Sequence, residues 1–299
     1  MIIVQAAGGL GNQMQQYALY RKFVSLGIDA RLDVSWFTEA GRQDGVYARR
    51  ELELELFRAI NYKICTEQEK QALAGKGSLL GRVKAKLLPG SRKVFHESGM
   101  YHPEIFDFRE KYLCGYFACE KYYVDILPDL RKEFTFPRSD NPENRKMAQR
   151  IEQTEAVSIH IRRGDYLDAE NAAMFGGICT ENYYEGAIEE IKGRYPQAHF
   201  YIFSDDIPYV KERYQGKAYT VVDINRGRSS FYDIWLMSLC RHNICANSTF
   251  SFWGARLNNH QEKVMIRPSV HKNTQKFDPV LMHELWEGWT LLDPQGRVV

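Results

Sequence analysis

The stretch SIHIRRGDY, residues Ser158–Tyr166, places two adjacent arginines directly after an apolar segment, and it decides how the second half of the chain folds. The letters AVSIHI that lead into the arginines predict a buried strand of a parallel sheet. In an extended segment His160 and Arg162 point to one face and Arg163 points to the other. Ligands of parallel sheets bind beyond the carboxyl ends of the strands, where a guanidinium binds phosphate with two hydrogen bonds. We therefore expect Arg162 to meet an anion, and the alternative is a structural ion pair with Asp165.

Strands and helices alternate on both sides of this stretch. The chain begins with a predicted strand IIVQA, a helix NQMQQYALYRKFVSLG and a strand DARLDV. After the arginines, further strands are predicted at HFYIFS, AYTVVD, NICAN and KVMIRP, with helical patterns between them. The polar segment PRSDNPENR is the predicted linker. We predict an α/β fold of two Rossmann-like domains, residues 1–150 and 151–299. Much of 36–110 stays unassigned, and ELELELF there fits a strand or a helix.

The composition places the chain among soluble globular proteins. It has 299 residues, 44% hydrophobic and 26% charged, with a formal net charge of +2, which argues against a protein that coats nucleic acid. No apolar run approaches the roughly 18 residues of a membrane-spanning helix, and the N-terminus lacks the basic segment of a signal peptide. We therefore predict a cytoplasmic protein. The basic stretch 76–93 indicates a solvated surface, and a peripheral contact with the inner face of the membrane is the alternative.

The cysteines and histidines are not spaced for a disulfide framework or a metal site. The 6 cysteines show no C-x-x-C pattern, and the 8 histidines show neither H-x-x-x-H nor H-E-x-x-H. In a chain of this size without a secretion signal, we expect reduced thiols and no transition-metal site built by the protein.

The second candidate ligand site is the glycine-rich loop GGLGNQ, residues 8–13, between the first predicted strand and helix. Gly9 and Gly11 allow the backbone to approach a ligand, and the free N–H groups of the following helix attract an anion. The loop fails the dinucleotide fingerprint G-x-G-x-x-G because Met14 stands where a small residue is needed. Asn12 and the residue after it offer amides to sugar hydroxyls, and a tight turn without a ligand is the alternative.

A third cluster, FSDD at residues 203–206, follows a predicted strand. Carboxylates in this position bind ribose hydroxyls or a base edge, which makes Asp205 a candidate nucleoside ligand. The alternative is that Ser204 or Asp205 caps the helix that begins near Pro208.

The fourth cluster, ANSTFSFWGARL at residues 246–257, joins a predicted strand to an aromatic-rich helix. Its hydroxyl and amide groups, with the N–H groups of the helix start, predict a phosphate cradle. The cradle residues are Asn247, Ser248, Thr249 and Ser251. An ordinary helix cap by Ser248 or Thr249 is the alternative. The clusters in the second half, with the glycine loop in the first, fit a nucleotide diphosphate held in an interdomain cleft.

These segments also resemble the ordered motif set of the bacterial α-1,2-fucosyltransferases, glycosyltransferase family 11. The matching motifs are GGLGNQMQQYA, GYFACEKYY, SIHIRRGDY, FSDD and ANSTFSFWGARL, over about residues 2–270. The resemblance implies the GT-B fold, in which two Rossmann-like domains face each other across a cleft, with the acceptor side in the first domain and the nucleotide in the second. It implies an inverting galactoside 2-α-L-fucosyltransferase that moves L-fucose from GDP-β-L-fucose to the 2-hydroxyl of a terminal galactose.

The resemblance also implies roles for individual residues. Arg162 would bind the β-phosphate, and the loop Asn247–Ser251 would help to hold the diphosphate. Asp205 would lie near the guanosine, and Asn12 of the glycine loop would contact fucose or the β-phosphate. The chain departs from the family pattern in having Phe252 instead of tryptophan and Arg256 instead of an aromatic residue. Both positions lie past the phosphate loop, so we expect them to affect packing or acceptor shape.

The chemistry requires neutralisation of the charge that develops on the departing diphosphate. Many glycosyltransferases use a metal held by D-x-D, and this motif does not occur in the sequence. We predict an enzyme that needs no metal or other cofactor, in which Arg162 and the helix start at Thr249–Ser251 stabilise the leaving group.

The acceptor hydroxyl must also lose a proton, which calls for a base. The sequence leaves the choice open among His160, Asp165, Asp168 and Glu170. The predicted catalytic residues are Arg162, His160, Asp165 and Asn12. The predicted substrates are GDP-fucose and a β-galactoside oligosaccharide, and the identity of the acceptor and the oligomeric state stay open.

Three other functions remain as alternatives. The first is a GT-B transferase that uses another GDP-sugar. The second is a Rossmann-type NAD(P) oxidoreductase with Asp29 or Asp33 on the ribose, which the broken fingerprint disfavours. The third is a module that binds a nucleotide sugar without transferring it.

Overall fold

The computed structural model describes residues 1–39, 49–75, 93–164, 166, 169–274 and 278–299. The chain divides into two compact units, Met1–Pro137 and Arg138–Val299. The predicted boundary lay between residues 150 and 151, inside what the structure shows as helix α4 at Pro142–Glu152. This helix packs against Phe231–Leu239, a helix of the second unit, and so belongs to that unit. Its first turn is capped by Asn141, whose side chain accepts a hydrogen bond from the Glu143 N–H at 2.9 Å.

The first unit is built on a 4-stranded parallel sheet of order β2-β1-β4-β3. The strands are β1 Ile2–Gln5, β2 Ala30–Asp33, β3 Val94–His96 and β4 Lys111–Cys114. The helices are α1 Leu10–Ser25, α2 Glu67–Ala74 and α3 Leu127–Glu133. The predicted sequence of strand, glycine loop, helix and strand is confirmed at β1, α1 and β2. The segment ELELELF, which fitted a strand or a helix, forms a short 3-10 turn at Leu54–Leu56.

The second unit is built on a 6-stranded sheet of order β10-β9-β8-β5-β6-β7, in which all neighbouring strands are parallel. The strands are β5 Ala156–Ile161, β6 His199–Ser204, β7 Tyr219–Val221, β8 His242–Ile244, β9 Met265–Pro268 and β10 Thr290–Leu292. Chain order runs outward in opposite directions from β5, which lies between β6 and β8. The sheet therefore has the Rossmann strand order, with its topological switch point between β5 and β8.

Helices connect the strands of the second unit. They are α4 Pro142–Glu152, α5 Ala169–Phe175, α6 Glu181–Arg194, α7 Ile207–Arg213, α8 Phe231–Leu239, α9 Thr249–Leu257 and α10 Pro279–Leu285. All residues of β5 are buried, as expected for the central strand of a covered parallel sheet. The prediction of two α/β units with parallel sheets is confirmed, and the structure adds α4, α5, α10 and β10 to the predicted elements. The helix α4 begins within the predicted linker PRSDNPENR.

The structure can be compared with the prediction of no membrane-spanning helix, but hardly with the prediction for the basic stretch 76–93. Within the ranges that the structure describes, no helix is both long enough and apolar enough to cross a membrane. The basic stretch 76–93 lies outside the described residues except for Lys93, whose ammonium lies 3.5 Å from a carboxylate oxygen of Glu110.

Candidate functional site

The topology brings three of the predicted polar clusters to one edge of the second unit. Arg162 follows β5, Asp205 follows β6, and the loop Asn247–Ser248 follows β8 and leads into α9. These are carboxyl ends of adjacent parallel strands, and β5 and β8 flank the switch point. Ligands of open α/β sheets bind at this place. The structure therefore juxtaposes an arginine, a carboxylate and a helix N-terminus at the position expected for a nucleotide.

Both arginines of SIHIRRGDY pair with carboxylates that follow β6. An Nη of Arg162 lies 2.9 Å from an oxygen of Asp205, and the Nε of Arg163 donates to Asp206 at 3.0 Å. The backbone N–H of Arg163 also donates to Asp205 at 2.9 Å. The predicted alternative, a pair with Asp165, concerns a residue outside those described. The side chains of Arg162 and Asp205 are each 26% exposed, so solvent and a ligand can reach this ion pair.

The cap of α7 is Asp206, which accepts a hydrogen bond from the Tyr209 N–H at 3.2 Å. The alternative in which Ser204 or Asp205 caps this helix is therefore wrong. Asp205 is left to contact the arginine segment. A side chain at Gly164 would place its Cβ 2.7 Å from an oxygen of Asp205, so glycine allows this close approach.

His160 is buried beneath the same edge of the sheet. Its side chain is 5% exposed, its Nδ1 has no hydrogen-bond partner, and its ring lies 5.5 Å from the ring of Phe250. Burial lowers the pKa of His160 to about 4, although Asp205 raises it and Arg162 lowers it further. The imidazole is therefore neutral near pH 7 and is a weak base. Of the other base candidates, Asp165 and Asp168 lie outside the described residues, as does the side chain of Glu170.

The buried histidine predicts how stability depends on pH. The unfolded chain binds this proton near pH 6.5, whereas the folded chain binds it only near pH 4. The contribution of His160 to the free energy of unfolding is therefore complete above pH 6.5 and is lost as the pH falls toward 4. We expect His160→Gln to reduce the slope of this free energy against pH by up to about 1.4 kcal/mol per pH unit in that window. Urea unfolding between pH 4.5 and 7.5 measures it, and an unchanged slope would contradict the burial of a neutral His160.

The loop after β8 separates the predicted phosphate ligands into two kinds. Asn247 and Ser251 are buried, at 3% and 1% exposed. Ser251 Oγ donates to the Ser248 carbonyl at 3.1 Å, and Asn247 Nδ2 donates to the His271 carbonyl at 3.4 Å. These two side chains therefore shape the loop from inside, and their role as phosphate ligands stays a prediction. Ser248 and Thr249 remain partly exposed at its surface.

The start of α9 follows the loop after β8 at the carboxyl edge of the sheet. Ser248 is the N-cap residue in an extended conformation, and its side chain makes no capping hydrogen bond. The alternative of an ordinary cap by Ser248 is therefore wrong, and Thr249 is already the first helical residue. The first N–H groups of a helix have no partner within the helix, and the positive end of the helix dipole lies there.

The glycine loop of the first unit has one exposed amide and one buried amide. Gly8 adopts a φ of +80° and approaches Asn12, because a Cβ at Gly8 would lie 2.7 Å from Asn12 Nδ2. Gln13 is fully buried, and its Nε2 donates to the carbonyls of Gly8 and Glu51, both at 2.9 Å. Gln13, which was expected to offer its amide to a sugar, therefore fixes the loop instead. The predicted loop ends earlier than expected, because α1 begins at Leu10, and Asn12 is partly exposed in the first turn of the helix.

The motif GYFACEKYY forms a second turn at the carboxyl edge of the first sheet, and sequence reasoning gave it no role. One oxygen of Glu97 accepts hydrogen bonds from the N–H groups of Tyr116 and Phe117, both at 2.8 Å. Phe117 is buried with a φ of +49°, an unusual conformation for a side chain of this size. The fixed turn presents Tyr116, which is 44% exposed. The side chain of Gln16 connects this turn to the glycine loop. Its Nε2 donates to the Gly115 carbonyl, and its Oε1 accepts from the N–H of Ala7.

Comparison with known proteins identifies the family. Residues 104–288 match the model of glycosyl transferase family 11. The chain belongs to this family. An α-1,2-colitosyltransferase of Escherichia coli is 30% identical over 296 residues, which cover 93% of this chain and 96% of that protein. The O-antigen biosynthesis glycosyltransferase WbnK of Escherichia coli is 29% identical over 286 residues, covering 88% and 92%. The galactoside 2-alpha-L-fucosyltransferase Sec1 of Mus musculus is 26% identical over 150 residues, covering 48% and 41%.

Family membership confirms the resemblance inferred from the motifs. The family 11 chain is a glycosyltransferase, so the oxidoreductase alternative no longer applies. Among the residues described here, no group of three or more histidines, cysteines, aspartates or glutamates is arranged to hold a metal ion.

The two residues at which this chain departs from the family pattern, Phe252 and Arg256, lie in one buried cluster. Arg256 is 1% exposed, and its guanidinium lies 5.8 Å from the Phe252 ring centroid and 5.1 Å from that of Trp286. Arg267, which sequence reasoning missed, is fully buried and lies 3.6 Å from the Trp286 ring centroid. The sequence does contain a signal for Arg267, because VMIRP places this charged residue inside a predicted buried strand. The expectation that Phe252 and Arg256 affect packing agrees with their burial.

Proposed function

We propose that this glycosyltransferase transfers L-fucose from GDP-β-L-fucose to the 2-hydroxyl of a terminal β-galactoside, with inversion and without a metal. The observation that carries the proposal is the position of Arg162 and of the start of α9, which follow the adjacent strands β5 and β8 at the switch point of the second sheet. A guanidinium and helix N–H groups there suit a diphosphate. The similarity to an α-1,2-colitosyltransferase and a galactoside 2-alpha-L-fucosyltransferase supports the linkage.

The proposed reaction is a single displacement. The acceptor O2 attacks C1 of fucose from the face opposite the diphosphate, the bond from C1 to the β-phosphate oxygen breaks, and GDP leaves. Arg162 and the N–H groups at the start of α9 stabilise the charge on the leaving oxygen. The O2 proton passes to a base, for which His160 and the acidic residues of 165–170 are the candidates. A loose transition state requires only a weak base, which suits the neutral imidazole of His160.

A second donor is favoured by a specific observation. One relative of similar length is an α-1,2-colitosyltransferase, and colitose is the 3-deoxy counterpart of L-fucose. The two donors differ only in the hydroxyl at C3. Parallel assays with GDP-fucose and GDP-colitose measure the ratio of kcat/KM, and a ratio in favour of GDP-colitose would replace fucose in the proposal.

Activity in EDTA tests the proposal and its metal-free chemistry together. We expect GDP release from GDP-fucose that depends on a β-galactoside, at a rate that changes less than about twofold in excess EDTA, because the guanidinium and N–H groups replace a cation. A complete loss of activity that Mg²⁺ or Mn²⁺ restores would contradict the metal-free mechanism. No transfer to any galactoside would contradict the proposed function.

The acceptor side of the proposal rests on the first unit. Tyr116 is exposed at the carboxyl edge of the sheet, beside the glycine loop that carries Asn12. The apolar C–H face of a galactose ring packs well on an aromatic ring, while hydroxyls on its rim bind amides and carboxylates. Glu97 holds the turn, so the ring is fixed before the acceptor arrives.

Removal of this ring is expected to weaken acceptor binding. We expect Tyr116→Ala to raise the KM for the galactoside about tenfold, as the loss of ~1.5 kcal/mol of ring stacking implies, with kcat and GDP affinity changed little. Tyr116→Phe keeps the ring and should retain the wild-type KM. Val124→Ala, at a residue 51% exposed in the same unit, is the matched control. An unchanged KM in Tyr116→Ala would remove Tyr116 from the acceptor site.

A further inference from the structure

Two buried arginines lie directly behind the loop after β8. Arg267 stands on β9, where the N–H of Cys245 donates to the carbonyl of Ile266 at 2.9 Å, so Arg267 is next to the first residue of the loop. Its guanidinium lies 4.7 Å from the ring centroid of Phe252, in the first turn of α9. Arg256 stands two turns along the same helix and packs on the same ring. Arg267 therefore lies beneath the proposed phosphate site, and Arg256 approaches it from the last turn of α9.

The charge of Arg267 is not offset within the part of the chain that the structure describes. Its Nη1 and Nη2 are buried without hydrogen-bond partners, and its Nε donates only to the carbonyl of Pro268 at 3.1 Å. Nδ1 of the neighbouring His271 is buried and unpartnered as well. Stacking on Trp286 recovers only part of the hydration that a buried guanidinium loses. Burial and the nearby Arg256 lower the pKa of Arg267 to about 9, so it remains charged near pH 7.

The position of this charge adds to its electrostatic penalty. The first turn of a helix is the positive end of its dipole, where an anion is stabilised and a cation is destabilised. Arg267 lies against the first turn of α9, and Arg256 repels it. The buried charge of Arg267 on one side of the loop is therefore stabilised when an anion binds on the other side.

We propose that Arg267 is a positioning residue that supplies a second layer of positive charge beneath the loop Ala246–Ser251, and that its counter-charge is the diphosphate of the nucleotide donor. The inference rests on the proposed function. Arg267 is fully buried and does not touch the donor; it acts through its electrostatic potential, which extends far in a protein interior that screens charge poorly. At about 10 Å and an effective dielectric constant of about 20, one charge changes the affinity for a doubly charged phosphate by more than tenfold.

The test compares ligands that differ only in their phosphates. Arg267→Met keeps an apolar side chain of similar length on Trp286 and removes the charge. We expect its thermal midpoint to equal or exceed that of the wild type, because the unpaired buried charge is gone. We expect the Kd for GDP to rise at least tenfold, the Kd for GMP to rise less, and the Kd for guanosine to stay unchanged. Arg267→Leu also removes the charge, is expected to show the same order of the three losses in affinity, and provides a second variant if the first does not fold.

Arg241→Met is the matched control. Arg241 precedes β8 at the opposite edge of the sheet, its side chain is 51% exposed, and it should leave all three affinities unchanged. Equal losses for GDP and guanosine in Arg267→Met, or no loss at all, would overturn the inference. A wild-type protein that binds GDP no better than guanosine would contradict the donor site of the proposed function, which is a separate result. Isothermal titration calorimetry in one buffer gives all of these constants.

Discussion

Replacing Arg162 with alanine is expected to reduce kcat at least about 10²-fold, the scale observed when one group that stabilises developing oxyanion charge is removed. The partly exposed guanidinium lies beyond β5 at the switch point, where the diphosphate is proposed to leave. Its loss also weakens GDP binding, because a bidentate charged hydrogen bond disappears. Galactoside-dependent GDP release measures the rate, and far-UV circular dichroism checks that the fold is retained.

Arg163→Ala provides the control for charge alone. Arg163 is the adjacent arginine, and it pairs with Asp206 and stacks on the Tyr209 ring at 3.8 Å. It is not proposed to bind the diphosphate. We expect this variant to lose stability and to keep a kcat within about tenfold of the wild type, as for the loss of one partly exposed contact. Near-normal turnover in Arg162→Ala would remove Arg162 from the active site, whatever Arg163→Ala shows.

The second large effect is expected from Thr249→Pro, which removes a single backbone N–H. Thr249 is the first residue of α9, a position where helices accept proline because its N–H has no partner within the helix. Ser248 already has φ −129° and ψ 129°, the extended conformation that a following proline requires. If the start of α9 binds the diphosphate, kcat should fall about 10²-fold and the Kd for GDP should rise.

Thr249→Ala separates the backbone from the side chain in this experiment. It keeps the N–H and removes only the hydroxyl, so we expect a much smaller loss of activity than in Thr249→Pro. Thermal unfolding of both variants shows whether proline has disturbed the helix. A stable Thr249→Pro protein with wild-type affinity for GDP would show that this N–H does not bind the phosphates.

The strands of the second unit were predicted well because burial leaves a clear pattern. The apolar runs AVSIHI and HFYIFS coincide with β5 and β6 at residues 156–161 and 199–204. A central strand of a parallel sheet is covered on both faces and therefore tolerates few polar residues. The carboxyl ends of such strands meet at one edge, which is why polar clusters far apart in the chain were expected to meet.

The side-chain partners within the site depended on tertiary contacts that local sequence does not encode. Asp205 and Asp206 are equally good cap residues by composition, and the helix register selects Asp206 while Arg162 takes Asp205. Asn12 and Gln13 are adjacent amides, yet Gln13 points inward to carbonyls of two separate segments. The partner of Arg267 was not foreseen, because Trp286 directly follows α10, a helix that the sequence did not predict.

A crystal structure of the chain with GDP, grown in the presence of EDTA, tests the central claim most directly. We predict that the β-phosphate lies within hydrogen-bond distance of the Arg162 guanidinium and of the N–H groups at the start of α9. A diphosphate bound only to the glycine loop at residues 8–13, or bound away from Arg162, would contradict the assignment of the donor site to the second unit.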